Sequence, residues 1–221
     1  MAKAKTDRIA VKAPRFEKAV FRLIGDSPYV QHKFSTKVMR QIAEQHEAGQ
    51  RARKNKAKEA RDFDAEFQSC LHRLPDGGYG IPASGFRDGL ISACRLVGFK
   101  MTIAKLSVFI IPDGYDQEDG TPLIRLEGEP KAFTSPVRLS TGVIDIRCRP
   151  IFSNWAANVT VMWDADQFSV EDVTNLFARM GAQVGIGEGR ADSKNSNGQG
   201  WGFFHVESVT ELVEENRGAE T

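Results

Sequence analysis

Hydrophobic and polar positions along the chain change period several times, and each change marks an element. Over residues 16–24, FEKAVFRLI, apolar side chains (Phe16, Ala19 or Val20, Phe21, Leu23, Ile24) alternate with charged ones, which predicts a half-buried strand. GDSP at 25–28 closes it, because Gly and Pro interrupt regular structure. Residues 35–73 change to a helical period. Ser35 or Thr36 can cap the start, Val38, Ile42 and Ala43 share a face, and Phe63, Phe67, Cys70 and Leu71 resume the stripe as a second helix or a broken first one. LPDGGYG at 74–80 is a turn. Ile81–Phe99 predicts the next helix, with Ser84 as N-cap, Phe86, Leu90, Ile91, Cys94, Leu96 and Val97 as its apolar face, and Gly98 as the stop.

Met101–Ile111 is rich in β-branched and aromatic residues and predicts a strand. An acidic turn, PDGYDQEDGTP, fills 112–122. Two alternating runs follow at 123–128 and 143–149. In the second, Ile144 and Ile146 share one face, and Asp145, Arg147 and Arg149 the other. A strand at 156–163 leads to a helix capped by Ser169, with Glu171 and Asp172 in the dipole-favoured first turn. Its stripe is Val173, Leu176, Phe177 and Met180, and Gly181 is its expected end. Residues 182–188 make a short strand or turn, 189–200 a polar loop and 201–209 the last strand. Without insertions the order is strand, helix, strand, strand, helix, strand. This is an α+β, ferredoxin-like βαββαβ core with an open sheet face. It predicts one domain over 16–210, with a basic helical insertion at 33–73 and a β-flap at 112–150. A flexible basic arm (1–15) precedes it and an acidic tail (211–221) follows.

Composition changes this picture little. Of 221 residues, 41% are hydrophobic and 27% charged, so the chain can bury a core without disulfides. Cys70, Cys94 and Cys148 show no CxxC or zinc spacing and read as reduced, buried thiols, which with the absence of a signal segment or a membrane-length apolar run points to a cytoplasmic protein. The net charge of +1 hides an uneven distribution, since RARKNKAKEAR at 51–61 holds six bases and one acid. So one-sided a cluster suits a phosphate backbone.

The segment 184–204, VGIGEGRADSKNSNGQGWGFF, carries the densest chemistry. Glycines at 185, 187, 189, 198, 200 and 202 surround Arg190 and Lys194. Exposed amides in such a loop can form anion-binding nests, and Trp201, with Phe203 or Tyr79, offers a plate for base stacking. Gly185-Ile186-Gly187 does not open a helix as a dinucleotide fingerprint requires, and no GxxxxGK[ST] is present.

Two of these segments resemble known motifs. YGIPASGFRDGL at 79–90 is similar to the I-P-G-S-S-x-[KR]-G-x-[IL] entry to the first helix of the RAMP superfamily, the RNA-binding backbone and processing proteins of CRISPR systems. Ile81, Pro82, Ser84, Arg87 and Leu90 match; Ala83, Gly85 and Asp88 depart from it. Gly185 to Gly202 resembles that superfamily's C-terminal glycine-rich loop. The resemblance implies RNA binding along a filament of like subunits, with the insertion and the flap gripping strand and neighbour. LIGDSPYVQHKFS at 23–35 is similar to a pattern in uncharacterised bacteriophage proteins, which implies a phage-encoded relative acting in a bacterial or phage-infected cell.

The expected nucleic-acid contacts are Lys33, Lys37, Arg40, Arg51, Arg53, Lys54, Lys56, Lys58, Arg61, Arg87, Gly185, Gly187, Gly189, Arg190, Lys194 and Trp201. The expected function is sequence-tolerant binding of single-stranded RNA or DNA, as a homo-oligomer, with further protein subunits as candidate partners and no membrane. No cofactor or metal is expected, because the four histidines lack ligand spacing and the acids at 116–119 lack the EF-hand glutamate. Asp26 and His32 share the loop after the first strand, where the resemblance places catalytic acids or histidines in some members. They are the candidates for a rival ribonuclease reading. A second rival is an assembly protein whose basic helix meets an acidic partner.

Overall fold

The computed structural model describes residues 12–34, 43, 44, 46, 61–138, 143–192 and 198–212. Its frame is the antiparallel sheet the alternating runs predict. β1 (Phe16–Gly25) pairs with β9 (Ala156–Asp164) on one side and β10 (Phe204–Leu212) on the other, and β4 (Val108–Ile111) pairs with β9. The order β10-β1-β9-β4, every pair antiparallel, is the ferredoxin-like arrangement. β9 is shared along its length. Its C-terminal half pairs with β4, and Ala156 and Ala157 pair with β6 (Pro122–Glu127), which carries β3 (Tyr79–Pro82) at the edge and the short β5 (Gly114–Tyr115).

Strand alternation decides which face is covered. Ala19, Phe21 and Leu23 of β1 and Val159, Val161 and Trp163 of β9 are fully or almost fully buried. Two helices lie on them. α2 (Ala83–Leu96) brings Phe86, Leu90, Ile91 and Cys94, and α4 (Val170–Arg179) brings Val173, Leu176 and Phe177. The Phe21 and Phe177 rings meet at 4.8 Å. Burying each such ring contributes roughly 1.5–3 kcal/mol. The α4 start is the capping box its sequence predicts, with Asp172 N–H donating to Ser169 Oγ at 3.1 Å and Ser169 N–H donating to Asp172 Oδ2 at 2.9 Å.

A second sheet has three strands and takes in part of the expected flap at 112–150, whose β5 and β6 belong to the first sheet. β8 (Ile144–Phe152) lies between β2 (Tyr29–Val30) and β7 (Pro130–Arg138), and α1 (Phe63–Ser69) packs beside β8. Arg61, just before α1, reaches Asp145 of β8 at 2.6 Å. Among the described residues no helix is long and apolar enough to cross a membrane. Cys70, Cys94 and Cys148 are free and buried.

Several expectations are corrected. Residues 101–107 are helical, α3 (Met101–Ser107), and only 108–111 form a strand. Ala104, Ser107 and Val108, at helical spacing, are the buried positions in that run. Of the expected helical insertion at 33–73, α1 is helical but 71–73 are not, and Lys33 and Phe34 lie outside any element. β3 occupies part of the expected turn at 74–80, and α2 starts at Ala83 with Ser84 inside its first turn rather than at its cap. β7 has no counterpart among the expected strands: its two prolines are tolerated because it is an edge strand. Gly181 does not end the helix. Met180–Val184 form a wider turn, closed by Gly185 (φ 74°), whose N–H reaches the Met180 carbonyl at 2.8 Å. β10 continues past the expected 209, with Glu211 opposite Ala19.

Candidate nucleic-acid interface

The two motif segments of the sequence meet. A cleft of about 270 Å³ opens where the start of α2 faces the glycine-rich loop, with the β2 segment and His72 closing the remaining walls. Its lining includes Pro82, Ser84 and Gly85 from one motif and Ile186, Gly187 and Arg190 from the other. Gly89 is one reason they approach closely: a Cβ there would lie 2.3 Å from Met180 Cε. Pro82 precedes α2 and no side chain caps that helix. Its first amides, with the positive end of the helix dipole, are therefore open to an anion.

The glycine-rich loop departs from a free-amide nest. The amides of Gly185, Ile186, Glu188 and Gly202 all donate to main-chain carbonyls, of Met180, Gly202, Val30 and Pro28 respectively, at 2.8 to 3.0 Å. Gly187 (φ 81°) lies so tightly on Tyr29 that a Cβ would sit 2.4 Å from its ring. The described part of the loop is thus a wall held by main-chain hydrogen bonds. Arg190 is braced on it, donating to the Gly187 carbonyl at 3.0 Å, and lines the cleft. Trp201 lies over Gly189 and meets Phe133 of the flap edge-on at 5.6 Å, so the ring fastens β7 to the loop.

The expected cations are dispersed. Lys33 is a correction: its side chain is 2% exposed, and its ammonium contacts Asp116 at 2.7 Å, Glu118 at 3.0 Å and Asp119 at 3.8 Å. No phosphate can reach a charge so enclosed. Arg87 donates to the Lys105 carbonyl at the end of α3, at 2.5 Å, and does not line the cleft. Arg61 is held by Asp145 and Glu66. Lys37, Arg40, Arg51, Arg53, Lys54, Lys56, Lys58 and Lys194 lie outside the described residues, as do most of the arm and the tail.

Asp26 and His32 enter separate networks. Asp26 Oδ1 lies 2.7 Å from His205 Nδ1 on β10, both side chains exposed. His32 lines the cleft, 4.0 Å from Glu188, which also pairs with the buried Arg149 at 3.1 Å. Burial, together with Arg149, holds His32 below the ordinary histidine range.

The group that sequence reasoning missed is His72. Its Nδ1 lies 2.8 Å from Asp116 Oδ2, and the residue lines the cleft. Asp116 is the hub: Lys33 and the Glu118 amide hold one oxygen, His72 and the Arg73 amide the other. Burial alone would raise its carboxyl, but Lys33, the Glu118 amide and His72 hold it down to about 2. His72 is lowered by burial, a shift that Asp116 partly offsets and Lys33 reinforces. His72, Asp116 and Asp119 place potential ligand atoms within 4.8 Å of one another, but the Lys33 ammonium is already the cation those carboxylates share.

Core and cleft together define a class: an antiparallel ferredoxin-like domain in which a glycine-rich loop walls a cleft at the start of the first core helix. No family model and no curated protein matches the sequence. Among solved structures, a chain from the cryo-EM structure of the Type III-B Cmr-beta bound to cognate target RNA has a similar fold. The TM-score is 0.50 at 10% identity, over 89% of this chain and 61% of that one. The chain therefore spans less than two thirds of that neighbour's length, and the likeness is one of fold.

Proposed function

We propose that this chain binds single-stranded RNA in a sequence-tolerant way, and that it acts as a repeated, RAMP-like subunit along the strand, encoded by a bacteriophage. The observation that carries the reading is the convergence of the uncapped α2 start and the glycine-rich wall on one cleft. The α2 amides and Arg190 suit a phosphate, while Ser84 and Ser92 supply neutral polar groups for sugar or base. The fold is shared with a chain of a complex bound to target RNA, which favours RNA over DNA as the strand. The basic run at 51–61 would extend the electrostatic contact beyond the cleft.

The test is photo-crosslinking of a 4-thiouridine-substituted RNA to the whole chain, read by peptide mapping. Adducts within 79–92 and 184–192 are expected. Adducts confined to other segments would refute the cleft as the binding site.

A second reading, RNA cleavage, draws on the Asp26–His205 pair, an acid bonded to an imidazole at the surface beside the loop after β1. It requires turnover that Asp26→Asn and His205→Asn each abolish while RNA binding persists.

A further inference from the structure

We infer that His72 is the cleft's selector for ribose, its Nε2 accepting a hydrogen bond from a 2′-hydroxyl that deoxyribose lacks. The inference rests on the strand-binding function proposed above and names the sugar that the same cleft prefers.

The tautomer follows from the neighbours. The Asp116 side chain is completely buried and ionised, with Lys33 Nζ and the Glu118 amide on Oδ1 and the Arg73 amide on Oδ2. A carboxylate in that state only accepts hydrogen bonds. The 2.8 Å contact therefore places the proton on His72 Nδ1. In the neutral ring, Nε2 is then a lone pair and cannot donate. Nε2 has no hydrogen-bond partner among the described residues, and His72 is one of the residues of the cleft wall. The main chain beneath is held as well: His72 N–H donates to Gln31 Oε1 at 3.0 Å, and Gln31 Nε2 donates to the Gly80 carbonyl at 2.7 Å.

A fixed acceptor chooses its ligand. Phosphate oxygens are acceptors and are repelled by it. A strand offers it two kinds of donor, base N–H groups and the ribose 2′-hydroxyl. Base donors change with sequence, whereas the hydroxyl recurs at every nucleotide and distinguishes RNA from DNA. The recurring donor suits a sequence-tolerant binder. Asp88 and Glu188 also line the cleft and are acceptors. Lys33 contributes by holding Asp116 charged, although no ligand touches it.

The test compares three labelled strands of one sequence, with ribose, 2′-deoxyribose and 2′-O-methylribose, by anisotropy on wild type and His72→Asn. The side-chain amide introduced by His72→Asn retains a donor for Asp116 and removes the imidazole's second nitrogen. Wild type is expected to bind the ribose strand roughly 3- to 10-fold more tightly than either modified strand, the size of one neutral hydrogen bond per site. His72→Asn is expected to lose that ratio. Equal wild-type affinities for all three strands would overturn the inference without reference to any variant, as would an undiminished ratio in His72→Asn. Failure of wild type to bind any strand would instead remove the strand-binding function itself. Cleavage of the ribose strand that His72→Asn abolishes, with binding intact, would overturn the selector role in favour of a general base.

Discussion

Lys33 Nζ lies 2.7 Å from Asp116 Oδ1, and neither side chain reaches solvent to any useful extent (2% and 0% exposed). The lysine that looks from sequence like a phosphate contact neutralises an internal carboxylate instead. Lys33→Met should therefore leave the Asp116 carboxylate buried without its cation, a loss of about 3–5 kcal/mol. Lys33→Met combined with Asp116→Asn should recover part of it, because no orphan charge remains. Urea unfolding of the four proteins measures the coupling. Strictly additive losses would contradict it.

Acid should weaken the fold in two stages. His32 and His72 both titrate below the ordinary value of 6.5 in the folded chain, so they bind protons more readily once unfolded. Stability present above pH 6.5 is then lost as the pH falls toward their folded values. Asp116, held at about 2 against an ordinary 3.8, contributes a further loss between those two values, on the order of 2 kcal/mol. Thermal melts from about pH 8 to about pH 3 should show the first decline near pH 6. In His72→Asn, that first decline should shrink.

Gly202 joins the loop to β10 at φ 74°, and a Cβ there would lie 1.9 Å from the Ile186 carbonyl oxygen. Gly202→Ala combines backbone strain of roughly 1–3 kcal/mol with a main-chain clash. Gly77 has a similar φ, 84°, with open space around it, so Gly77→Ala should cost only about 1–2 kcal/mol. In differential scanning, the drop for Gly202→Ala should be at least twice that for Gly77→Ala. Equal drops would argue against the wall being held in this way.

Arg190 is braced at the cleft by the Gly187 carbonyl and packs its Cβ 3.3 Å from the position a Gly185 Cβ would take. Arg190→Gln should keep the fold and weaken strand binding. The salt dependence should fall by about 0.7 of a unit per lost phosphate contact on a single strand. Lys33→Met should leave that slope unchanged, since its charge does not face a ligand. A slope altered by Lys33→Met and indifferent to Arg190→Gln would reverse the assignment.

The parts of the fold legible in the sequence are those in which local pattern and tertiary role agree. β1 alternates because one face of it is buried, and α4 declares its start through Ser169 and Asp172. Segment 101–107, MTIAKLS, fits either period, and packing against α2 decides for the helix. β3 and β7 contain Gly or Pro and become strands only because β6 and β8 offer edges. The cleft is half legible. Its two motif segments are visible in the sequence, but which face each side chain takes is not: Arg87 turns to α3, and Lys33 turns inward. His72 carries no local signal, since its partner Asp116 is 44 residues away and Lys33 is 83 residues from the same carboxylate.

The most direct measurement is fluorescence anisotropy of the nuclease-treated chain with labelled single-stranded RNA, single-stranded DNA and duplex, at two salt concentrations. The cleft and the basic run predict salt-sensitive binding to the single strands, tightest for RNA. No binding to any of the three at low salt would contradict a nucleic-acid function and point to a protein partner for the basic segment.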